Sequence, residues 1–383
     1  MAAEERRLAK IGIEVLKAEL RRRRAAGDTS PQEVWIRFPR QLGDVIFSVP
    51  FFGALQRHWD AAAAEEGMTL KWIAVGHIIG AALFSEAKPD FIAESLIEAG
   101  GEGKPDPWHL LKRWRHRKPI AVLNLSQSVR LGLAAWMSRV PIRAGDIDNH
   151  LTFLYHYPFR YRDLPIHIAQ RFEPLLIALT GHNDQSWVKL GPENLGGAKG
   201  MDLLRSAGWK GEPYVTLAFG TRGYGKRWFP EEEKWPHLAR LLQARGWTPV
   251  WLGGPDEREL GARLAELVPG SLNLAGRTTL PEACAIQTEA LGNIAIDTGL
   301  AHTGAATGQP TVAIMGASPD HLISPIGPRV MTLRASSVDL TPGQSAGFNT
   351  HGNSAHRLAP ERVVLALEAL LQEAGAEGVG RAN

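Results

Sequence analysis

Cysteine is nearly missing from this 383-residue chain, which contains one, Cys284. A single thiol excludes an intrachain disulfide framework and argues against a structural zinc site, which needs clustered ligands. Cys284 stands in a helix-like Pro-Glu-Ala-Cys-Ala run, so a buried structural role is expected rather than a catalytic one. Long apolar runs are missing too. No stretch approaches the roughly 18 residues of a membrane-crossing helix, and the amino terminus has no signal-peptide core. A soluble, cytoplasmic protein is the expectation. The loop after the first predicted strand is neither G-x-G-x-x-G nor a G-K-[ST] Walker loop, so two familiar nucleotide fingerprints are absent there. Asp146-Ile147-Asp148 mimics a metal-binding Asp-x-Asp signature, but it follows Gly145 outside any clear nucleotide loop, and no metal is expected there.

What charge the chain has is placed unevenly. Residues 1–24 carry eight Lys/Arg against four Glu, which leaves the rest at −1 of a total of +3. Leu8, Ile11 and Val15 form one apolar stripe and Ile13, Leu16 and Leu20 another, ahead of the run Arg21 to Arg24. Such a basic helix can lie on an anionic membrane surface, or it can pack on its own domain with a solvated arginine end. A second basic cluster, Lys112 to Lys118 near Trp108, suits an anionic acceptor, membrane headgroups or a merely solvated helix end. No nucleic-acid-binding module surrounds it, so nucleic acid is not an expected partner.

The length favours two domains over one. After an arm at 1–30, which ends in Gly27-Asp28-Thr29-Ser30-Pro31, strands and helices alternate. Strands are expected at 34–38, 70–75 and 120–125, with helices at 45–59, near 80–84 and at 131–138. Around 181–212 the chain turns rich in Gly, Asn and Pro, and a helix-like 201–207 follows, which suggests a boundary near 190. Beyond it the alternation restarts: strands at 215–218, 248–252 and 294–296, helices at 232–245, 257–267 and 281–290. A last amphipathic helix, 360–374, is expected to close the domain pair. Alternation of this kind means parallel sheets covered on both faces. The predicted class is therefore α/β, with an N-terminal domain 31–190 and a C-terminal domain 191–383. Both should be Rossmann-like, facing each other across a cleft, with ligands at the carboxyl ends of the strands.

Four loops carry candidate chemistry. Ile296-Asp297-Thr298-Gly299-Leu300-Ala301-His302, with Gly308-Gln309-Pro310 and another apolar run downstream, reads as strand, tight turn, helix and strand. The free N–H groups and positive dipole end of such a helix suit phosphate. Gly220-Thr221-Arg222-Gly223-Tyr224-Gly225-Lys226-Arg227-Trp228 offers glycines and cations for phosphate oxygens, or a solvated basic turn. Gly253-Gly254-Pro255-Asp256-Glu257 places a carboxylate where ribose hydroxyls can donate to it, although Asp256 suits a helix N-cap equally well. Gln41-Leu42-Gly43-Asp44-Val45 puts one carboxylate at a strand end, and Asp44 by itself also reads as an N-cap.

Taken in order, these loops resemble glycosyltransferase family 9, the bacterial lipopolysaccharide heptosyltransferases, over roughly residues 33–335. The likeness rests on Arg37, Gly43-Asp44-Val45 and Pro50, then Asn124-Leu125-Ser126, Ser128, Arg130, Arg143 and Gly145. It continues through His167, Arg171, Lys226-x-Trp228-x-Pro230, Gly253-Gly254-x-x-Glu257 and Leu274-Ala275-Gly276-Arg277-Thr278. It closes on Asp297-Thr298-Gly299-x-x-His302 and Gly316-Ala317-Ser318-Pro319. The resemblance implies a GT-B fold and an inverting transfer, independent of metal and cofactor, of a sugar from a nucleotide diphosphate sugar, usually ADP-heptose. The implied acceptor is a hydroxyl of lipopolysaccharide or a related glycan, handled at the cytoplasmic face of the inner membrane.

By the same resemblance Asp44 matches the general base and Lys226 the cation that neutralises the diphosphate. Thr221, Glu257, Asp297, Thr298, Gly299 and His302 match the nucleotide-sugar site. Arg40, Gln41, Arg130 and Arg143 fall on the acceptor side. Asn124 departs from the Asp often found in the family, and 337–356 holds none of the cysteines that some members carry. Two other readings stand beside the transferase: a GT-B epimerase or hydrolase acting on a nucleotide sugar, and a binding protein that has kept the donor loops. The first needs further acid or base residues beyond Asp44, and none is evident.

Overall fold

The computed structural model describes residues 11–39, 41–76, 94–97, 107–146, 151–159, 164–187, 189–190, 197–221, 223–334 and 355–380. The chain divides into two units, Met1–Val188 and Lys189–Asn383. In the first, helix α1 (Gly12–Ala25) precedes strand β1 (Gln32–Arg37) and the long helix α2 (Leu42–Glu65). Strands β2 (Leu70–Gly76) and β3 (Glu94–Ile97), helix α3 (Pro107–Arg117), β4 (Ala121–Asn124), α4 (Val129–Met137), β5 (Ile142–Asp146), β6 (Tyr157–Phe159) and α5 (Glu173–Thr180) complete it. The helix expected near 80–84 lies outside the described residues.

The second unit starts with α6 (Gly197–Ser206), β7 (Tyr214–Ala218), α7 (Glu231–Gln243), β8 (Thr248–Leu252), α8 (Arg258–Leu267), β9 (Leu272–Asn273) and α9 (Leu280–Glu289). It ends with β10 (Gly292–Ile296), α10 (Gly299–Ala306), β11 (Thr311–Ile314), α11 (Asp320–Ile323), β12 (Val330–Leu333) and α12 (Pro360–Gly380). Helix α12 packs on α7 and on β10, β11 and β12 of its own unit.

Both sheets are parallel throughout and share one strand order. The first runs β3-β2-β1-β4-β5-β6 and the second, in mirror listing, β12-β11-β10-β7-β8-β9. Numbered from its own first strand, each is the doubly wound order 3-2-1-4-5-6, whose direction of winding reverses between strands one and four. The reversal points are β1/β4 and β7/β10. Strands here are buried on both faces, which is why they read as unbroken apolar runs such as Val34-Trp35-Ile36 and Val250-Trp251-Leu252.

Helix α1 takes the second of the two readings open to the basic arm. Leu16 and Leu20 are fully buried against the first unit, and a Cβ at Gly12 would run into the Leu179 backbone at 2.9 Å. Its cations are engaged locally. Lys17 pairs with Glu65 at 2.7 Å, Arg22 and Arg23 reach Glu19, Arg23 donates to the Lys118 carbonyl and Arg24 to that of Glu66. Among the described residues, no helix is long and apolar enough to cross a membrane.

Candidate functional site

The chemistry-bearing loops flank the two reversal points, the positions where a doubly wound sheet opens a crevice for ligand. At β7/β10, Asp297 directly follows β10, buried at 4% exposure, and the Lys226 ammonium stands 2.9 Å from its Oδ2. Lys226 sits in a short 3-10 turn, Tyr224–Lys226, whose Gly225 carbonyl accepts from the Ala317 N–H at 2.9 Å. That bond ties the loop after β7 to the loop after β11 and fixes where the lysine stem emerges. An ammonium has three donors, so pairing with Asp297 leaves capacity for phosphate oxygens.

Thr298 is the N-cap of α10 in extended backbone, and its side chain makes no cap bond. The Ala301 N–H donates to the Thr298 carbonyl at 3.0 Å, while no side-chain cap takes the N–H groups of Gly299 and Leu300, and a helix start of this kind beside a lysine suits an anion. Gly299 is the first residue of the helix, and His302 lies one turn in, buried.

Four polar residues, unremarked in the sequence, hold α10 in place. Thr216 in β7 donates its hydroxyl to the Asn293 side chain in β10, and Asn293 Nδ2 reaches the Gln287 carbonyl at 3.5 Å. Gln287 Nε2 donates to the Leu300 carbonyl at 2.8 Å, and Gln287 Oε1 accepts from the Thr303 hydroxyl at 2.6 Å. A buried network with its partners in place rigidifies what it touches. The one available signal was polar residues inside apolar runs. Cys284 lies beside this network, fully buried, and burial pushes its thiol up to about 12, as suits a structural residue.

Glu257 reaches over the carboxyl ends of β7 and β8. Its Oε2 accepts from the Gly254 N–H at 2.8 Å, and a Cβ at Gly220 would overlap its side chain. Glycine at 220 is thus required by the glutamate's approach. Asp256 is exposed on the preceding 3-10 turn, whose N-cap is Gly254, so Asp256 is not the cap. Thr221 accepts from the Gly223 N–H at 3.4 Å, and Arg222 lies outside the described residues.

At β1/β4 the furnishing differs. Gln41 is the N-cap of α2, which leaves Asp44 three residues inside the helix, half-buried, and corrects its reading as an N-cap. Pro50 interrupts the same helix in its third turn, where a missing N–H and a crowded ring weaken the backbone ladder. Phe47, one turn after Asp44, meets the His167 ring edge-on at 4.9 Å, and His167 in turn accepts from the Ala169 N–H. Asn124 Nδ2 donates to the Ser128 carbonyl and the Tyr155 hydroxyl, while its Oδ1 accepts from the Ser126 hydroxyl. A carboxylate at 124 has no proton to give to the Ser128 carbonyl, which explains why an amide fits here. Burial raises the Tyr155 phenol to about 12.

The acceptor-side residues scatter. Gln41 and Arg130 are exposed at the first turns of α2 and α4, and Arg40 lies outside the described residues. Arg143 lies within the sheet. It is the second residue of β5, buried, donating at 2.7 Å to the carbonyls of both Leu154 and Val140, and burial lowers its basicity. Asp146 is buried at the end of β5, and Asp148 lies outside the described residues.

Comparison with known proteins agrees with this geometry. Residues 108–346 match glycosyltransferase family 9 (heptosyltransferase). Lipopolysaccharide heptosyltransferase 1 of Pseudomonas aeruginosa is 34% identical over 292 residues, 72% of this chain and 76% of that protein. The crystal structure of a family 9 glycosyltransferase from Veillonella parvula superposes with a TM-score of 0.72 at 20% identity, covering 89% of this chain and 98% of that one. The ADP-heptose lipopolysaccharide heptosyltransferase II of Escherichia coli does so with a TM-score of 0.70 at 19% identity, covering 90% and 100%. With two Rossmann-like units of GT-B type, the chain belongs to glycosyltransferase family 9, the heptosyltransferases.

Proposed function

We propose that the protein transfers heptose from ADP-heptose to a hydroxyl of a lipopolysaccharide-type acceptor, with inversion and without a metal. The observation that carries this reading is the Lys226–Asp297 pair, 2.9 Å apart, at the start of α10. A departing diphosphate gathers negative charge, and a preorganised cation beside a helix N-terminus stabilises that charge more as the bond breaks than before. Lys226 and the first-turn N–H groups of α10 take the diphosphate. Thr221, Thr298 and His302 border it, and Glu257 accepts from the ribose hydroxyls. Asp44 takes the acceptor's proton as its oxygen attacks the anomeric carbon, the bond from that carbon to the diphosphate breaks, and ADP leaves. Gln41 and Arg130 flank the acceptor. A protein named for ADP-heptose among the structural neighbours supports the donor, and the kinship with a lipopolysaccharide heptosyltransferase supports the acceptor and an inner-membrane workplace.

The test is incubation with ADP-heptose and a heptose-deficient lipopolysaccharide acceptor, followed by mass spectrometry and ADP assay. One heptose gained per ADP released, unchanged by a chelator, is expected. Release of ADP with the acceptor unmodified would favour the hydrolase reading. Chelator-sensitive transfer restored by Mg²⁺ would overturn the metal-free step, and donor binding without turnover would leave only a binding protein.

A further inference from the structure

Residues 107–145 contain eight Lys/Arg and no Asp or Glu, in a chain that is net acidic elsewhere. The fold sorts these cations. Arg117 pairs with Glu33, Arg113 and Arg117 lie over the Trp35 ring at 5.4 and 5.3 Å, and Arg143 is tied to backbone carbonyls. Lys112, Arg115, Lys118, Arg130 and Arg139 are exposed on α3, α4 and the turns that follow them.

Beside them runs an apolar stripe that the fold does not cover. The inner face of α4 (Leu131, Ala134, Ala135) is in the core. Its outer face shows Val129, Leu133 and Trp136, at helical spacing, 41%, 39% and 45% exposed. Phe153, 51% exposed, meets Trp136 edge-on at 5.9 Å and widens the stripe. Next to Trp136 opens a cavity of about 700 Å³, walled by Arg115, Trp136, Arg139, Arg143 and His156, with no carboxylate among its described lining residues. Helices α3 and α4 pack together, so the cationic and apolar features form one continuous surface of the first unit.

We propose that this surface docks on an anionic phospholipid bilayer, with Val129, Leu133, Trp136 and Phe153 at the acyl boundary and Arg115 and Arg139 on lipid phosphates. An apolar stripe with aromatic members and a rim of arginines is the makeup of elements that lie in the membrane interface. The rim supplies the long-range attraction to anionic lipid, the stripe the short-range burial. Single-stranded nucleic acid fits less well, because it needs successive stacking platforms along a groove, and half of this stripe is aliphatic. The basic helix α1 is not the anchor, since its Leu16 and Leu20 face is buried within the protein.

The inference does not rest on transfer chemistry, and its test contains no acceptor, so the two readings fail separately. The full chain is floated with phosphatidylcholine vesicles, with and without phosphatidylglycerol. Binding to the anionic vesicles alone, weakened by salt, is expected. The pair Leu133→Glu/Trp136→Glu and the pair Arg115→Glu/Arg139→Glu should each reduce the bound fraction about tenfold or more, with ADP affinity and thermal midpoint unchanged. Wild-type binding by either correctly folded pair overturns the proposal, as does equal binding to neutral vesicles. A solution dimer that Leu133→Glu/Trp136→Glu converts to monomer would make the stripe an interface between copies, and preference for single-stranded DNA over vesicles would make it a nucleic-acid surface. Both overturn it.

Discussion

At the β7/β10 reversal point a lysine, a buried carboxylate and a helix start converge, and a hydrogen-bond network pins that helix from below. At β1/β4 the same topology carries a carboxylate in the first turn of a 24-residue helix and an asparagine that braces its own turn. The strand order is shared, so topology supplies only the crevice. On the proposed function, the difference lies in what each loop must meet. A diphosphate has fixed, high charge, and a rigid cationic cradle suits it. An acceptor hydroxyl is neutral and needs a base that can receive a proton, which calls for one carboxylate and room around it.

That contrast can be broken most forcefully at Asp44. Asp44→Ala should lower kcat by roughly 10²–10⁴-fold, the usual scale of general-base catalysis, while calorimetry shows ADP affinity unchanged. A matching loss of ADP affinity in a folded variant would erase the division of labour. Lys226→Ala should act on the other side, weakening ADP by about 10- to 100-fold, in line with ~1.5–3 kcal/mol for hydrogen bonds to charged groups. It should also lower the thermal midpoint, because the buried Asp297 carboxylate loses its nearest cation.

Gln287→Leu sharpens the comparison without touching ligand. It removes the Gln287 bonds to the Thr303 hydroxyl and the Leu300 carbonyl and leaves these two only their mutual 3.3 Å bond, at a cost of about 1 kcal/mol in denaturant unfolding. Because α10 then loses its brace, ADP affinity should fall as well, and unchanged affinity in a folded variant would separate the network from the site. The smallest effect is expected from Asn124→Asp. Losing the donation to the Ser128 carbonyl should cost about 1 kcal/mol of stability, with ADP affinity unaffected. A drop in ADP affinity there would show the two reversal points to be coupled.

Much of this site could be read before folding because each loop is contiguous: strand, turn and helix start occupy about ten residues at Asp297, and Lys226 sits in the single loop between β7 and α7. Local order of that kind is written in local sequence. The strand 248–252 matches β8 residue for residue, whereas α2 begins three residues earlier and ends six later than its apolar pattern suggested. Glycine and proline inside the helix, at Gly43 and Pro50, blurred its ends. The bonding of Arg143 was not legible, for a different reason. A basic residue in a short polar run resembles a ligand contact, and nothing local announces that its donors will meet the Leu154 and Val140 carbonyls.

The sequence by itself determined the alternating α/β plan, the loops that carry chemistry and the kinship with the heptosyltransferases, since these depend on neighbours along the chain. Tertiary structure alone decided the strand order that sets those loops at two reversal points, because order follows from which buried strands pair. It alone joined Thr216, Gln287, Asn293 and Thr303 into one brace and drew Glu257 over Gly220. It buried one face of the basic helix α1 and left the α4 stripe in the open. Hydrogen bonds and apolar burial act between surfaces brought together in space, and their partners lie too far apart in sequence for any local pattern to show them.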